Sequence, residues 1–455
     1  MSVRARAEAP GNRERNTVSG ENWKARAEAP GNREGNTVGG ENWKARAEAP
    51  GNREGNTVGG ENWKARAESA GNGEGNSMAE IGSPGTGRER MPAQQDRKAE
   101  NIVSWEENVR KAVPYTAGEQ PRKKGIIKLN TNECPYPPAP GVGKLAAEMD
   151  YDALRLYPDS GSSVLVEALA EYYHVKPEQV FVGVGSDDVL SMAFMTFFNS
   201  SRPILFPDVT YSFYDVWAGL HRIPYKTCSL DDNWHIRTED YRQPNGGIIF
   251  PNPNAPTGLE ESPGTVEEIV RANRDVVVIV DEAYVDFGGT SALSLVEKYD
   301  NLLVVQTFSK SRAMAGLRIG FCIGSEKLIA YLNDVKFSFN SYTMNLPAQL
   351  LGAEAVREDG YFKETTGKIV ATRERVKGEL KKLGFSFPDS RANFIFAAHE
   401  TIPAQQIFQA LREADIYVRY WNRPRISNYL RITVGTDRQM DHLLSFLEDY
   451  VGKYR

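Results

Sequence analysis

In TFSKSRAMAGLRIGF, residues 307–321, a lysine follows an apolar run and an arginine stands eight positions after it. Lys310 taken alone reads as a solvated loop charge. An amine held neutral among other cations is instead a nucleophile for a carbonyl carbon. Arg318 supplies such a cation, and its planar fork suits a phosphate. Thr307 and Ser309 add hydroxyl donors for the same anion. Asp281 closes the run VVVIV, where a carboxylate is costly unless paired. It reads as a helix cap or as the counter-charge of a protonated ring nitrogen, the pairing that makes a heteroaromatic ring an electron sink. Tyr284, three residues on in DEAY, is a hydroxyl partner for such a ring or an ordinary half-buried tyrosine. In GVGSDD a glycine turn opens a helix at Ser186 and Asp187, and free N–H groups there favour an anion. A glycine turn before a helix is also common in the absence of any ligand. Tyr211, after the next apolar run, is core packing or a stacking face.

Each of these groups follows its own short apolar run. Phe181–Val184 leads into GSDD, Ile204–Phe206 into PDVTYSFY, Ile248–Phe250 into PNPNAPTG, Val276–Val280 into DEAY, and Leu302–Val305 into QTFSKSR. Short β-rich runs between longer amphipathic stretches predict βα units and a mostly parallel, buried sheet. Ligands of such sheets bind beyond the carboxyl ends of the strands, so the five polar segments are expected to converge on one site. The C-terminal part reads as a smaller α+β domain. Helices are predicted at Val370–Leu383, Ile402–Ala414 and Gln439–Tyr450, with strands at Asn393–Ala397, Ile416–Arg419 and Tyr429–Val434.

Ahead of all this lies an internal repeat. ARAEAPGNRERNTVSGENWK begins at Ala5, near-copies begin at Ala25 and Ala45, and a decayed copy begins at Ala65, a period of 20 residues. Solenoids show such periods, but each unit here offers one Val, one Trp and scattered Ala among Gly, Asn, Glu and Arg. That apolar content does not offset the entropy of ordering the chain. Residues 1–97 are therefore expected to be a disordered tail, with a binding array on Trp23, Trp43 and Trp63 as the functional alternative. Residues 98–149 are read as an N-terminal arm and part of the small domain, 150–365 as the large domain, and 366–455 as the C-terminal small domain.

The formal charge of −5 over 455 residues gives no polycation for nucleic acid. No apolar run reaches the roughly 18–20 residues of a membrane helix. Three widely spaced cysteines, Cys134, Cys228 and Cys322, argue against a disulfide scaffold and against zinc-ligand spacing. The Arg-rich N-terminus lacks an apolar signal region, and Glu8, Glu14 and Glu21 are unlike a transit peptide. The expectation is a cytoplasmic protein with small-molecule partners and no metal.

DEAY, Ser309-Lys310 with Arg318, PNPNAPTG and LRITVGT together resemble the fold type I aminotransferases, which depend on pyridoxal 5'-phosphate. A finer pattern is similar to the histidinol-phosphate aminotransferases: NVRKAVPYTAGEQPR, KLNTNECPYPP, LRLYPD and VRYWNRPRISNYLRITVGT. The likeness covers roughly residues 100 to 455. It implies an α/β fold in which a large domain with a mostly parallel central sheet carries a smaller α+β domain. It also implies that Lys310 carries the cofactor through a Schiff base and then shuttles protons. Asp281 would pair with the pyridinium nitrogen and Tyr284 with the phenolic oxygen. Ser186, Asp187, Thr307, Ser309 and Arg318 would surround the phosphate, and Tyr211 would stack on the ring. Tyr157 would reach the cofactor phosphate of a neighbouring subunit, which implies a homodimer. Arg431 would bind an anionic end of the substrate, with Arg419, Tyr115 and Asn132 near its other end. Many relatives place an asparagine directly before the proline of PNNPTG; here that position is Ala255, and Asn254 is the nearest amide.

The activity implied is a cycle between glutamate/2-oxoglutarate and histidinol phosphate/imidazole acetol phosphate. An aromatic amino-acid aminotransferase and a phosphothreonine decarboxylase share the cofactor site and differ in the substrate pocket. A non-catalytic protein of this fold, or a scaffold built on the repeat, belongs to a different class. The former often carries a helix-turn-helix domain, and no such pattern precedes the fold here.

Overall fold

A computed structural model of the chain describes residues 105–454. The disordered tail expected at residues 1–97, and any role for its tryptophans, lie outside the described residues.

Strands that are apolar along their whole length must be covered on both faces. After β1 (Ile127–Lys128) come β2 (Val180–Gly183), β3 (Ile204–Pro207), β4 (Tyr225–Cys228), β5 (Ile248–Pro251), β6 (Val278–Asp281), β7 (Leu302–Thr307) and β8 (Gly320–Gly324). Strands β2 to β8 form one sheet in the order β2-β8-β7-β6-β5-β3-β4. Neighbours from β4 to β7 are parallel, and β8 runs antiparallel to both β7 and β2. Alternate residues divide between two cores. Leu205, Ile248, Val280 and Val304 face one layer of helices, and Ile204, Ile249, Ile279 and Leu303 face the other. All six residues of β7 are buried, and each fully buried Val or Leu side chain contributes about 1.5–3 kcal/mol. The five strands anticipated are present in this mostly parallel sheet. Tyr225–Cys228 and the antiparallel Gly320–Gly324 had not been foreseen. Three of the four side chains of β4 are exposed at the sheet edge, so it lacks the apolar run of a central strand. Strand β8 follows directly on a site loop and carries two glycines.

The C-terminal strands are β9 (Phe385–Ser386), β10 (Phe394–His399), β11 (Ile416–Tyr417), β12 (Arg419–Tyr420) and β13 (Leu430–Thr433). They form an antiparallel sheet β12-β13-β10-β9, while β11 pairs in parallel with β1. The single strand expected over Ile416–Arg419 is thus two strands in two sheets. The chain passes through Val418 from pairing with Ile127 and Lys128 to pairing with Leu430 and Arg431. Long helices Asp359–Lys382 and Asp437–Gly452 cover this layer. The second of them starts in a capping box, with Thr436 accepting from the Gln439 N–H and Gln439 accepting in return. Tyr284 and Phe287, just past β6, pack into this second core, so the DEAY segment joins the two layers.

Among the described residues no helix is long and apolar enough to cross a membrane, and no cluster of three or more His, Cys, Asp or Glu is arranged to hold a metal ion.

Candidate active site

The segments that follow β2, β3, β5, β6 and β7 meet in one cleft. Its walls include Ser186, Asp187, Tyr211, Asp281, Tyr284, Thr307, Ser309, Lys310 and Arg318, with Pro251, Ala255 and Ala283. Nine of the residues singled out in the sequence therefore come together from four separate strand ends, and the fifth, that of β5, contributes Pro251 and Ala255.

One end of the cleft is built for an anion. Helix Ser186–Phe197 begins there behind Gly185, whose φ of 84° is costly for other residues. The first N–H groups of a helix have no partner within it. A Cβ at Gly185 would stand 2.4 Å from Nη2 of Arg318, and one on Gly320 would stand 2.2 Å from the Ser186 nitrogen. Both glycines therefore let the helix start and the guanidinium approach the sheet. Arg318, itself in the left-handed region, donates to Asp187 Oδ2 at 3.0 Å and to Ser309 Oγ at 3.4 Å. Thr307 Oγ1 lies 3.0 Å from Ser309 Oγ. The Asp187 carboxylate also accepts from the Tyr211 hydroxyl at 2.8 Å. Its side chain thus braces two neighbours, leaving its backbone N–H for the anion.

The opposite end is acidic and dry. Asp281 is 4% exposed. Its carboxylate accepts from the Tyr214 hydroxyl at 2.8 Å and from the Ala283 N–H at 3.2 Å. Burial pushes its pKa up to about 6 despite these donors. No cation pairs with it among the described residues. Tyr284 accepts at its hydroxyl from Asn132 Nδ2 at 2.9 Å and rests edge-on against Phe394. Asn132 is held in turn by Thr433, which accepts from its backbone N–H and donates to Oδ1, both at 3.0 Å.

Lys310 stands between these ends, with Nζ donating to the Thr131 carbonyl at 3.0 Å. Burial, then the positive charges of Arg431 and Arg318, bring its pKa down to about 8. An ordinary lysine keeps its proton to pH 10 and above, so this amine becomes a nucleophile two units earlier. In the cofactor-free protein the rate of loading by an aldehyde should rise with pH through a midpoint near 8 and level off above it. Stopped-flow absorbance checks this, and a midpoint near 10 would refute it.

A second cavity adjoins the first through Tyr211 and Ala255. It is lined by Tyr115, Trp421, Arg423, Arg425 and Arg431 among others. Tyr115 stacks on Phe213 at 4.1 Å. Arg431 donates to the Asn130 carbonyl at 3.1 Å, while its buried Nε has no partner. Arg419 is the cross-strand partner of Arg431, yet it does not line the cavity and reaches the Thr116 carbonyl at 3.4 Å. Asn132 and Asn254 line neither cavity. Asn254 spends both amide protons, on the Val209 carbonyl at 3.1 Å and Thr257 Oγ1 at 3.0 Å. It therefore leaves the position beside the cleft to Ala255. Tyr157 lines neither cavity, is 83% exposed, and packs on Tyr342.

Sequence reasoning missed Tyr214, Thr131 and Trp421. Tyr214 shows only as an aromatic three residues after Tyr211. Thr131 acts through its carbonyl, which its residue type does not reveal.

The donor set fits one kind of group. A buried carboxylate without a cation needs a protonated ring nitrogen, the cradle at Arg318 needs a phosphate, and the amine between them needs a carbonyl carbon. An α/β sheet carrying this combination at its strand ends defines a pyridoxal-phosphate-dependent transferase of fold type I. The family model for aminotransferase class I and II matches residues 124–447. The chain is 50% identical over 349 residues to the histidinol-phosphate aminotransferase of Lactococcus lactis subsp. cremoris (strain MG1363), covering 77% of this chain and 98% of the relative. It is 47% identical to that of Clostridium botulinum (strain Langeland), covering 77% and 99%. The histidinol-phosphate aminotransferase of Sinorhizobium meliloti, solved in complex with pyridoxal-5'-phosphate, superposes with a TM-score of 0.66 at 22% identity over 72% of this chain and 92% of that one. The chain belongs to the aminotransferase class I and II family.

Proposed function

We propose that the chain transfers the amino group of L-histidinol phosphate to 2-oxoglutarate, giving imidazole acetol phosphate and L-glutamate, a step of histidine biosynthesis. One observation carries this reading. Arg431, without a carboxylate partner, lines a cavity that opens beside the Lys310 amine. Histidinol phosphate has no carboxylate and presents a phosphate, whereas glutamate presents two carboxylates, and a guanidinium fork accepts either anion. The likeness to curated histidinol-phosphate aminotransferases across nearly their whole length supports the same substrate.

Bound in the cleft, pyridoxal 5'-phosphate supplies an electron sink that acidifies the C–H bond beside the substrate nitrogen. The chain's own groups do the rest. Ser186 and Asp187 through their N–H groups, with Thr307, Ser309 and Arg318, hold the phosphate. Asp281 keeps the ring nitrogen protonated, and Tyr214 keeps Asp281 oriented. Tyr284, itself held by Asn132, meets the ring oxygen, and Tyr211 covers the ring. Lys310 Nζ would hold the cofactor until the substrate amine displaces it, and the freed amine would then take up and carry the proton removed from the substrate carbon.

The arginines provide the test. Arg431→Ala should impair both half-reactions, because both substrates present an anion to it. Arg419→Ala should harm histidinol phosphate more than an aromatic amino acid. Loss of one charge-assisted contact costs about 1.5–3 kcal/mol, or roughly ten- to hundredfold in kcat/KM. Measuring kcat/KM for histidinol phosphate, histidinol and phenylalanine in the three proteins decides the matter. Equal use of phenylalanine and histidinol phosphate by the wild type would favour an aromatic aminotransferase.

The same reading makes the enzyme a homodimer with shared sites. Tyr157 and Tyr342 are 83% and 48% exposed, and Tyr151, Leu154 and Leu156 are exposed close by in sequence; apolar surface of this kind marks an interface. Mixing Tyr157→Ala chains with Lys310→Ala chains should restore one competent site per mixed dimer, about a quarter of wild-type activity after random exchange. Absence of recovery after verified exchange would exclude sharing. We assign the enzyme to the cytoplasm, a compartment that suits the unpaired Cys134, Cys228 and Cys322.

A further inference from the structure

The two C-terminal arginines pose an electrostatic problem. Arg419 and Arg431 are directly opposed on β12 and β13, where like charges repel. Among the described residues neither forms a salt bridge with a carboxylate. Their hydrogen bonds go to the carbonyls of Thr116 and Asn130. What the two share is Trp421. The Arg419 guanidinium lies 5.2 Å from the centre of its indole, and that of Arg431 lies 5.1 Å from it. Arg431 is also 5.3 Å from the Phe394 ring. Trp421 is half-buried and lines the cavity beside Arg431.

An aromatic face attracts a cation within about 6 Å of its centre. Unlike an aspartate or glutamate, it neutralises no charge and occupies none of the N–H donors. A carboxylate holding these arginines would compete with the incoming anion. An indole holds them and leaves the charge of both, and the donors of Arg431 at the cavity wall, for the ligand.

We propose that Trp421 is a specificity-determining positioning residue: its indole holds Arg419 and Arg431 together as a paired, un-neutralised cation that selects a phosphorylated substrate over its unphosphorylated counterpart. This rests on the functional reading above and names the side chain that sets the preference for phosphate.

The experiment compares kcat/KM for histidinol phosphate and for histidinol in the cofactor-loaded wild type, Trp421→Leu and Trp421→Phe. Visible absorbance of each variant confirms that the cofactor is in place. Leucine keeps an apolar wall without an aromatic face, and phenylalanine keeps the face. The ratio of the two constants should fall about tenfold in Trp421→Leu, mainly through a higher KM for histidinol phosphate, and stay within about threefold of wild type in Trp421→Phe. Trp421→Gln, which also lacks a face and tolerates the half-exposed position, should behave like leucine. A high wild-type ratio retained by the leucine and glutamine variants would overturn this inference alone. So would a phenylalanine variant as impaired as the leucine one. A wild-type ratio near one would overturn the functional reading itself.

Discussion

Lys310→Ala should still take up the cofactor and yet lose about four orders of magnitude or more of its turnover, since nucleophile and proton shuttle disappear together. Uptake should survive because the phosphate cradle and Asp281 do not depend on the lysine. Arg318 is held by Asp187 and Ser309, and Asp281 by Tyr214 and Ala283. The amine donates only to the Thr131 carbonyl, so its removal unpairs one backbone acceptor and leaves the framework in place. The chemical check is independent of rate. Borohydride reduction of the loaded wild type should fix the chromophore on the peptide containing Lys310. Label on another lysine, or substantial turnover by the alanine variant, would refute the assignment.

Asp281→Asn should move activity and stability in opposite directions. Activity should fall by about 10²–10³-fold or more, as expected when a preorganised charge is removed from a water-excluded site. Stability without cofactor should rise. The Asp281 pKa is pushed up to about 6 by burial, against roughly 4 for an unfolded aspartate. Between those values the folded state keeps a proton that the unfolded state has released. Stability therefore declines as pH rises from about 4 to 6, and the penalty is fully present at pH 7. Two pK units correspond to about 3 kcal/mol at most. Asparagine carries no such penalty and can still accept from Tyr214. Cofactor-free Asp281→Asn should thus melt above wild type at pH 7, with the gap closing towards pH 4. Glu282, also buried and pushed up to about 7, titrates in both proteins and cancels. A less stable asparagine variant at pH 7 would show that Asp281 is not an uncompensated charge. With cofactor bound, the wild type should recover the difference, because the ring nitrogen then supplies the missing cation.

Both results follow from residues legible in the chain itself. The run VVVIV, bounded by turn residues, reads as a buried strand, which its last three residues form, and a carboxylate at its end must meet a partner or carry a cost. The same logic located Lys310, Ser186, Thr307 and Ser309, because in a parallel sheet every strand delivers its following residues to the same edge. Local pattern therefore determined the layer architecture and most of the cleft before any contact was known. The strands it did not announce lack that pattern: β4 is largely exposed, and β8 has a glycine at each end of a three-residue apolar run.

Tertiary structure decided what depends on distance between chain segments. Tyr214 meets Asp281 across 67 residues, and Asn132 meets Tyr284 across 152; nothing local distinguishes such a tyrosine or asparagine from its neighbours. Asn254 sits one residue from Ala255, but the turn that gives its amide to Val209 and Thr257 leaves Ala255 at the cleft. The sequence singles out Arg419 and Arg431 separately and passes over Trp421. Only the pairing of β12 with β13 sets the two cations side by side and brings both onto the indole. Burial periodicity is a property of one segment and is written in that segment, whereas the partner of a side chain is fixed by strand register and loop path, which depend on the whole fold.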